Sequence, residues 1–157
     1  MINKKVRNAT VIECDGITFR SILEQKTYIE LRDAGYAPQY EVEKIGLLDS
    51  FRPKTTWYVD GEPQVTKGKK QQNTTVLGKS YTPDFKVTLG DTVVYIEVKG
   101  HPNDVYPITR KMFLKWIDEQ DNDIIFSEIH SIKGLKKFME VLKQVKTENE
   151  ENQVQPY

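Results

Sequence analysis

Tyr81-Thr82-Pro83-Asp84-Phe85-Lys86-Val87-Thr88-Leu89-Gly90-Asp91-Thr92-Val93-Val94-Tyr95-Ile96-Glu97-Val98-Lys99-Gly100 is the stretch whose reading decides the fold. It holds two strands, 81–89 and 92–99, around Gly90-Asp91. Side chains on a strand alternate faces, so Phe85, Val87 and Leu89, with Val94, Ile96 and Val98, form one apolar face. Asp84, Glu97 and Lys99 fall on the other. A two-residue loop at Gly90-Asp91 pairs Leu89 with Thr92. That register sets Asp84 directly opposite Glu97, with β-carbons about 4.5–5.5 Å apart. A three-residue loop would break the alignment.

Outward from this hairpin, 107–118 reads as a helix with Met112, Phe113, Trp116 and Ile117 on one face. Asp123 to His130 reads as a strand, and the strand–helix–strand unit should form a right-handed crossover. A last helix, 132–146, carries Ile132, Leu135, Phe138, Met139 and Leu142 on one stripe. On the N-terminal side, Asp15-Gly16 between apolar residues predicts a hairpin over 11–19, in which Cys14 faces Ile17 as a packed small group. A helix then runs from Ser21 to about Ala34 and stops at Gly35. Tyr36 to Leu48 reads as one strand. Residues 49–80 lack a clear period and read as a long loop, with a short strand at Trp57-Tyr58-Val59; a loop of that length is often functional. The order predicts an α/β fold, a mixed sheet with helices on both faces and an N-terminal hairpin.

The chain has 157 residues, 38% hydrophobic and 29% charged, which favours one globular domain. We expect a basic arm at 1–10, a domain over 11–146 and a disordered acidic tail at 147–157. A single cysteine, Cys14, excludes an internal disulfide. No apolar run suits a signal peptide or a membrane span, so a cytoplasmic protein with no membrane partner is expected. Net charge is zero, which argues against a purely electrostatic nucleic-acid binder. The charge is nevertheless uneven: 52–80 carries a net +4, 131–146 a net +4, and the tail −3.

Two carboxylates as close as Asp84 and Glu97 repel unless a positive charge lies between them. Their oxygens suit a hard divalent cation, most naturally Mg²⁺ with Mn²⁺ as a substitute, at about 2.0–2.1 Å for Mg²⁺. Such an ion polarises a phosphoryl oxygen and lowers the pKa of a bound water. Lys99, on the same face, would orient or deprotonate that water, or stabilise transition-state charge. The plainer alternative is ordinary amphipathic patterning on an exposed strand. Pro83 before the acid, the hairpin that joins both acids, and Gly100 after the strand favour chemistry.

Pro83-Asp84, twelve intervening residues and Glu97-Val98-Lys99 resemble the core motif of the PD-(D/E)XK nuclease superfamily. The chain also resembles small phage- and prophage-encoded members of it, through Asp15-Gly16-Ile17-Thr18-Phe19-Arg20-Ser21-Ile22-Leu23-Glu24; the likeness covers roughly residues 10–130. It implies a restriction-endonuclease-like α/β/α fold. It further implies Mg²⁺ held by Asp84, Glu97 and the Val98 carbonyl, and hydrolysis of DNA leaving 5′-phosphate and 3′-hydroxyl ends. Junction resolvases of the endonuclease I type, transposase end-cleaving subunits and restriction enzymes are among its small members. A structure-selective enzyme for branched DNA such as a Holliday junction, acting as a homodimer, is therefore the leading expectation. A non-catalytic nucleic-acid-binding module or a partner-dependent nuclease subunit is the alternative.

The resemblance also puts a Glu of the first helix, here Glu24, in the catalytic set with Asp84, Glu97 and Lys99. Ser21-Ile22-Leu23-Glu24 is at the same time a capping box, in which Glu24 would satisfy the Ser21 N–H. Glu24 shares a face with Tyr28 and Leu31, and that spacing favours the site. For DNA contacts, the cluster Lys67, Lys69 and Lys70 leads, with Lys79 and with Arg110 and Lys111 on the following helix. No element reads bases, so recognition of backbone and shape is expected. His101 and His130 are left out of the catalytic set.

Overall fold

A computed structural model describes residues 12–68, 70–100 and 103–154. Strands β1 (Ile12–Cys14) and β2 (Ile17–Phe19) form the expected hairpin, with Cys14 opposite Ile17. Asp15 and Gly16 turn it at φ 53° and 76°, the left-handed pair that matches strand twist. Helix α1 (Ile22–Asp33) follows, capped by Ser21, whose Oγ accepts the Glu24 N–H at 3.1 Å. Residues 1–11, including the expected basic arm, lie outside the described residues.

The region 36–48 is two strands rather than one: β3 (Gln39–Tyr40) and β4 (Ile45–Leu48). The break is at Glu41, whose φ is 45°. Its N–H donates to the Asp84 carbonyl, and its carboxylate meets the Arg20 guanidinium at 2.5 Å. The chain changes partners there, since β3 pairs with the motif hairpin and β4 with a later strand.

The segment read as a long loop is built. It contains β5 (Tyr58–Val59), β6 (Glu62–Pro63), β7 (Val65–Thr66), β8 (Gln72–Asn73) and β9 (Lys79–Tyr81). β5 pairs with β6 and β7 with β8. Gln64 splices the two hairpins: its N–H donates to the Trp57 carbonyl and its carbonyl accepts from Thr74. A bridge between Phe51 and Val76 joins them to the β4–β9 pair.

Strands β10 (Phe85–Leu89) and β11 (Thr92–Val98) pair from Phe85–Ile96 through Leu89–Thr92, the register expected. Helix α2 (Tyr106–Asp118) leads to β12 (Ile124–Ile129), parallel to β11. The main sheet is mixed, in the order β12-β11-β10-β3. One core joins Phe85, Val87, Val94 and Ile96 to Tyr28 and Leu31 of α1 and to Leu135 and Leu142 of helix α3 (Ile132–Val154). The opposite core joins Tyr95 to Phe113 of α2 and to Ile45 and Tyr81. Helices thus cover both faces.

Helix α3 continues through Val154, where disorder is expected from 147. Asn149 explains the extension: its Nδ2 donates to the Leu89 carbonyl at 2.7 Å and to Thr92 Oγ1 at 3.3 Å, tying the last turns to the β10–β11 turn. Residues 155–157 lie outside the described residues. No described helix is long and apolar enough to cross a membrane.

Candidate active site

Asp84 sits immediately before β10 and Glu97 near the end of β11. One more step of the β10–β11 register sets them side by side. Both are buried, as is Glu24 on the first turn of α1. With Lys99, Lys79 and the Val98 main chain they line one cleft of about 430 Å³, walled further by Arg20, Tyr81, Asn103, Tyr106 and Thr109. All four residues of the expected catalytic set therefore meet, although they come from three separate elements.

Each acid is held differently. Asp84 Oδ2 accepts the Val98 N–H at 2.7 Å. Glu97 accepts from the Tyr81 hydroxyl on Oε2 and meets the Lys99 ammonium at 2.8 Å on Oε1. Glu24 accepts from Tyr40 OH at 2.6 Å, from Ser21 Oγ at 2.9 Å and from the Arg20 N–H at 3.2 Å. Glu24 thus both caps α1 and faces the cleft, with the Arg20 N–H in place of the expected Ser21 N–H.

Burial, then the Glu97 and Glu24 charges, push the Asp84 carboxyl up to about 7, against the pull of the Val98 N–H and Lys99. Burial and Glu97 hold the Tyr81 phenol well above its ordinary range, so it stays a proton donor. Lys99 is steadied from a second side. Its ammonium lies 4.5 Å from the centroid of the Tyr106 ring, whose hydroxyl donates to Glu128 at 2.9 Å.

The Val98 carbonyl faces the acids. Lys99 donates its N–H to Ile129 of β12, while Val98 donates to Asp84. Main-chain groups of successive strand residues leave opposite edges, and N–H and C=O of one residue leave the same edge. The Val98 carbonyl therefore emerges on the Asp84 side. Among the described residues, no three His, Cys, Asp or Glu side chains converge as a ready cage for a metal. The donor set on offer is two carboxylates and this carbonyl, hard oxygens that fit a small divalent cation completed by water.

Of the expected DNA contacts, Lys79 lines the cleft. Lys67 and Lys70 are exposed between β7 and β8, and Lys111 is exposed on α2. Lys69 and His101 lie outside the described residues. Arg110 is committed to Glu128 at 3.0 Å, and that carboxylate also meets His130 Nε2 at 3.3 Å. Arg110 is thus a brace at the base of α2 more than an open phosphate ligand.

Sequence reasoning missed Tyr81, Tyr40 and Tyr106. Tyr81 belongs to β9, and its alternation is counted from β4, not from the motif hairpin. Tyr40 lies on β3 directly opposite Phe85, a pairing that no local pattern announces. The tyrosine at 106 follows the motif by seven positions with no periodic link to it.

No curated protein and no solved structure matches the chain. The sequence profile of the family described as "Protein of unknown function (DUF1064)" matches residues 4–137, and the chain belongs to that family.

Proposed function

We propose that the chain is a metal-dependent endodeoxyribonuclease that hydrolyses DNA phosphodiesters, selective for branched DNA. The observation that carries the reading is the convergence of Asp84, Glu97, Lys99 and Glu24 in one cleft, with the Val98 carbonyl on the same side. Asp84, Glu97 and Val98 would hold Mg²⁺ or Mn²⁺. The ion, when bound, supplies Lewis acidity toward a phosphoryl oxygen and a more acidic water.

The remaining work falls to the chain. Lys99, paired with Glu97 and set over Tyr106, places a positive charge where a pentavalent phosphorus would gather negative charge. Tyr81 fixes the Glu97 rotamer through its hydroxyl. Glu24, anchored by Tyr40 and Ser21, adds a carboxylate on the α1 side of the cleft. Lys79 on the rim offers a phosphate contact. Symmetric cutting of a junction requires two copies related by a two-fold axis.

The test is incubation with a four-way junction, a linear duplex, a flapped duplex and a single strand, with Mg²⁺ or Mn²⁺, beside Asp84→Ala and Lys99→Ala. Symmetric cleavage of the junction, lost in both variants, is expected. Cleavage across the whole panel would replace structure selectivity with a general nuclease. Binding without cleavage in either metal would overturn the enzyme in favour of a binding module.

A further inference from the structure

The folded arm between β4 and β9 carries large apolar side chains in water. Phe51 is 48% exposed, Trp57 44%, Tyr58 62% and Leu77 80%. Scattered single residues of this kind are ordinary, whereas several on one short segment mark a contact surface. The same segment is basic, with exposed Arg52, Lys54, Lys67 and Lys70.

The hairpin registers sort these groups by face. Tyr58 pairs with Pro63, and Gln64 is bonded to both Trp57 and Thr74. Thr66 pairs with Gln72. Side chains alternate along each strand, so Trp57, Gln64, Thr66 and Gln72 share one face and Tyr58 takes the other. The Arg52 guanidinium is hydrogen-bonded to Gln72 and reaches Thr75 Oγ1 at 3.4 Å, which holds it against β8 and the residues that follow it. An exposed indole and an exposed guanidinium on the same arm, with lysines at the adjoining turn, complement an unpaired base and its phosphate together. A duplex hides its base faces in the stack and cannot use the indole.

We infer that this arm is a binding platform for single-stranded nucleic acid, with Trp57 as the stacking surface and Arg52, Lys67 and Lys70 as phosphate contacts. The arm is rooted at β9, whose Lys79 and Tyr81 line the cleft. The platform and the cleft thus share the β9 segment, although the inference does not require the cleft to be catalytic.

The test uses the full chain in chelator, so that nothing is cut, with labelled oligothymidine and a duplex of equal length read by fluorescence anisotropy. Tighter binding of oligothymidine is expected. Trp57→Ala should weaken it by roughly 5- to 150-fold, the range for loss of one base–aromatic stack, and Trp57→Phe should recover most of the loss. Tyr58→Ala, on the opposite face, should change little. Replacing Lys67 and Lys70 together by Ala should flatten the slope of log affinity against log salt by about 1.4.

Equal affinity of wild type and Trp57→Ala would overturn the inference, as would no recovery with Phe. A wild-type dimer that Trp57→Ala dissociates without changing oligothymidine affinity would make the patch a protein interface and overturn it equally. Oligothymidine binding through Trp57 with no cleavage of the four-way junction in Mg²⁺ or Mn²⁺ would leave the platform standing and remove the nuclease. Junction cleavage in a protein whose oligothymidine affinity Trp57→Ala leaves unchanged would do the reverse.

Discussion

Asp84 is a buried acid of the cleft set beside a second one. Its carboxyl, buried beside Glu97, is raised from 3.8 to about 7. A carboxyl raised on folding is protonated more readily in the folded chain, so stability is highest below the unfolded pKa and is lost as pH rises toward and past 7. Asp84→Asn keeps an oxygen for the Val98 N–H and removes the charge. In metal-free buffer it should be more stable than wild type by a margin that grows between about pH 4 and 7, reaching on the order of 4 kcal/mol at pH 7. A wild type as stable as Asp84→Asn at every pH would refute this. At the same scale, the pairing of Asp84 with Glu97 was legible because two strands and a short turn leave one register open. The anchoring of Glu24 was legible in part. Its capping role followed from Ser21, but its bond to Tyr40 depends on β3 lying against β10.

The elements owe their places to a few side chains. Phe113 is fully buried and ties α2 to the sheet: its ring meets Tyr81 at 4.8 Å, Phe126 at 5.2 Å, and Tyr95 and Trp116 at 5.6 Å. Phe113→Ala should cost about 3–5 kcal/mol, measured by urea unfolding. It should also loosen Tyr81 and Tyr106, the two rings that steady Glu97 and Lys99. A loss below about 1 kcal/mol would mean that α2 docks by other contacts. The helical stripe around Phe113 was plain in the sequence, since its period of 3.6 is long and unbroken. The 49–80 arm was not. Asp60-Gly61 turns β5 into β6 with φ 49° and 81°, the same dipeptide and geometry as Asp15-Gly16. Its flanks, Tyr58-Val59 and Glu62-Pro63, are too short and too exposed to show alternation. The 36–48 strand was misread for another reason. Both halves are extended, and what separates them is the left-handed Glu41 and the change of partner it allows, a tertiary event. The tail went astray because Asn149 finds its partners about 60 positions back along the chain, beyond any local pattern.

Across the whole molecule, a neutral chain hides a polarised one. The net +4 of residues 52–80 and the net +4 of 131–146 are offset by −4 over 81–130, −3 over the tail and −1 over 1–51, so total charge says little about what approaches the cleft. The layers serve the same arrangement. α1 and α3 close one face of the sheet and α2 the other, leaving Asp84, Glu97, Lys99 and Glu24 at a common opening. Fold class was readable from element order and periodicity, but the tyrosines that hold the site together appear only once the layers are assembled. The central claim is that this opening is a divalent-cation site serving phosphodiester hydrolysis. Calorimetric titration of Mn²⁺ into the wild-type chain, and in parallel into Asp84→Ala with its fold confirmed by circular dichroism, tests that claim most directly. Saturable binding in the wild type that Asp84→Ala abolishes is expected; no binding, or binding unchanged in the variant, would contradict a cation site at Asp84 and Glu97.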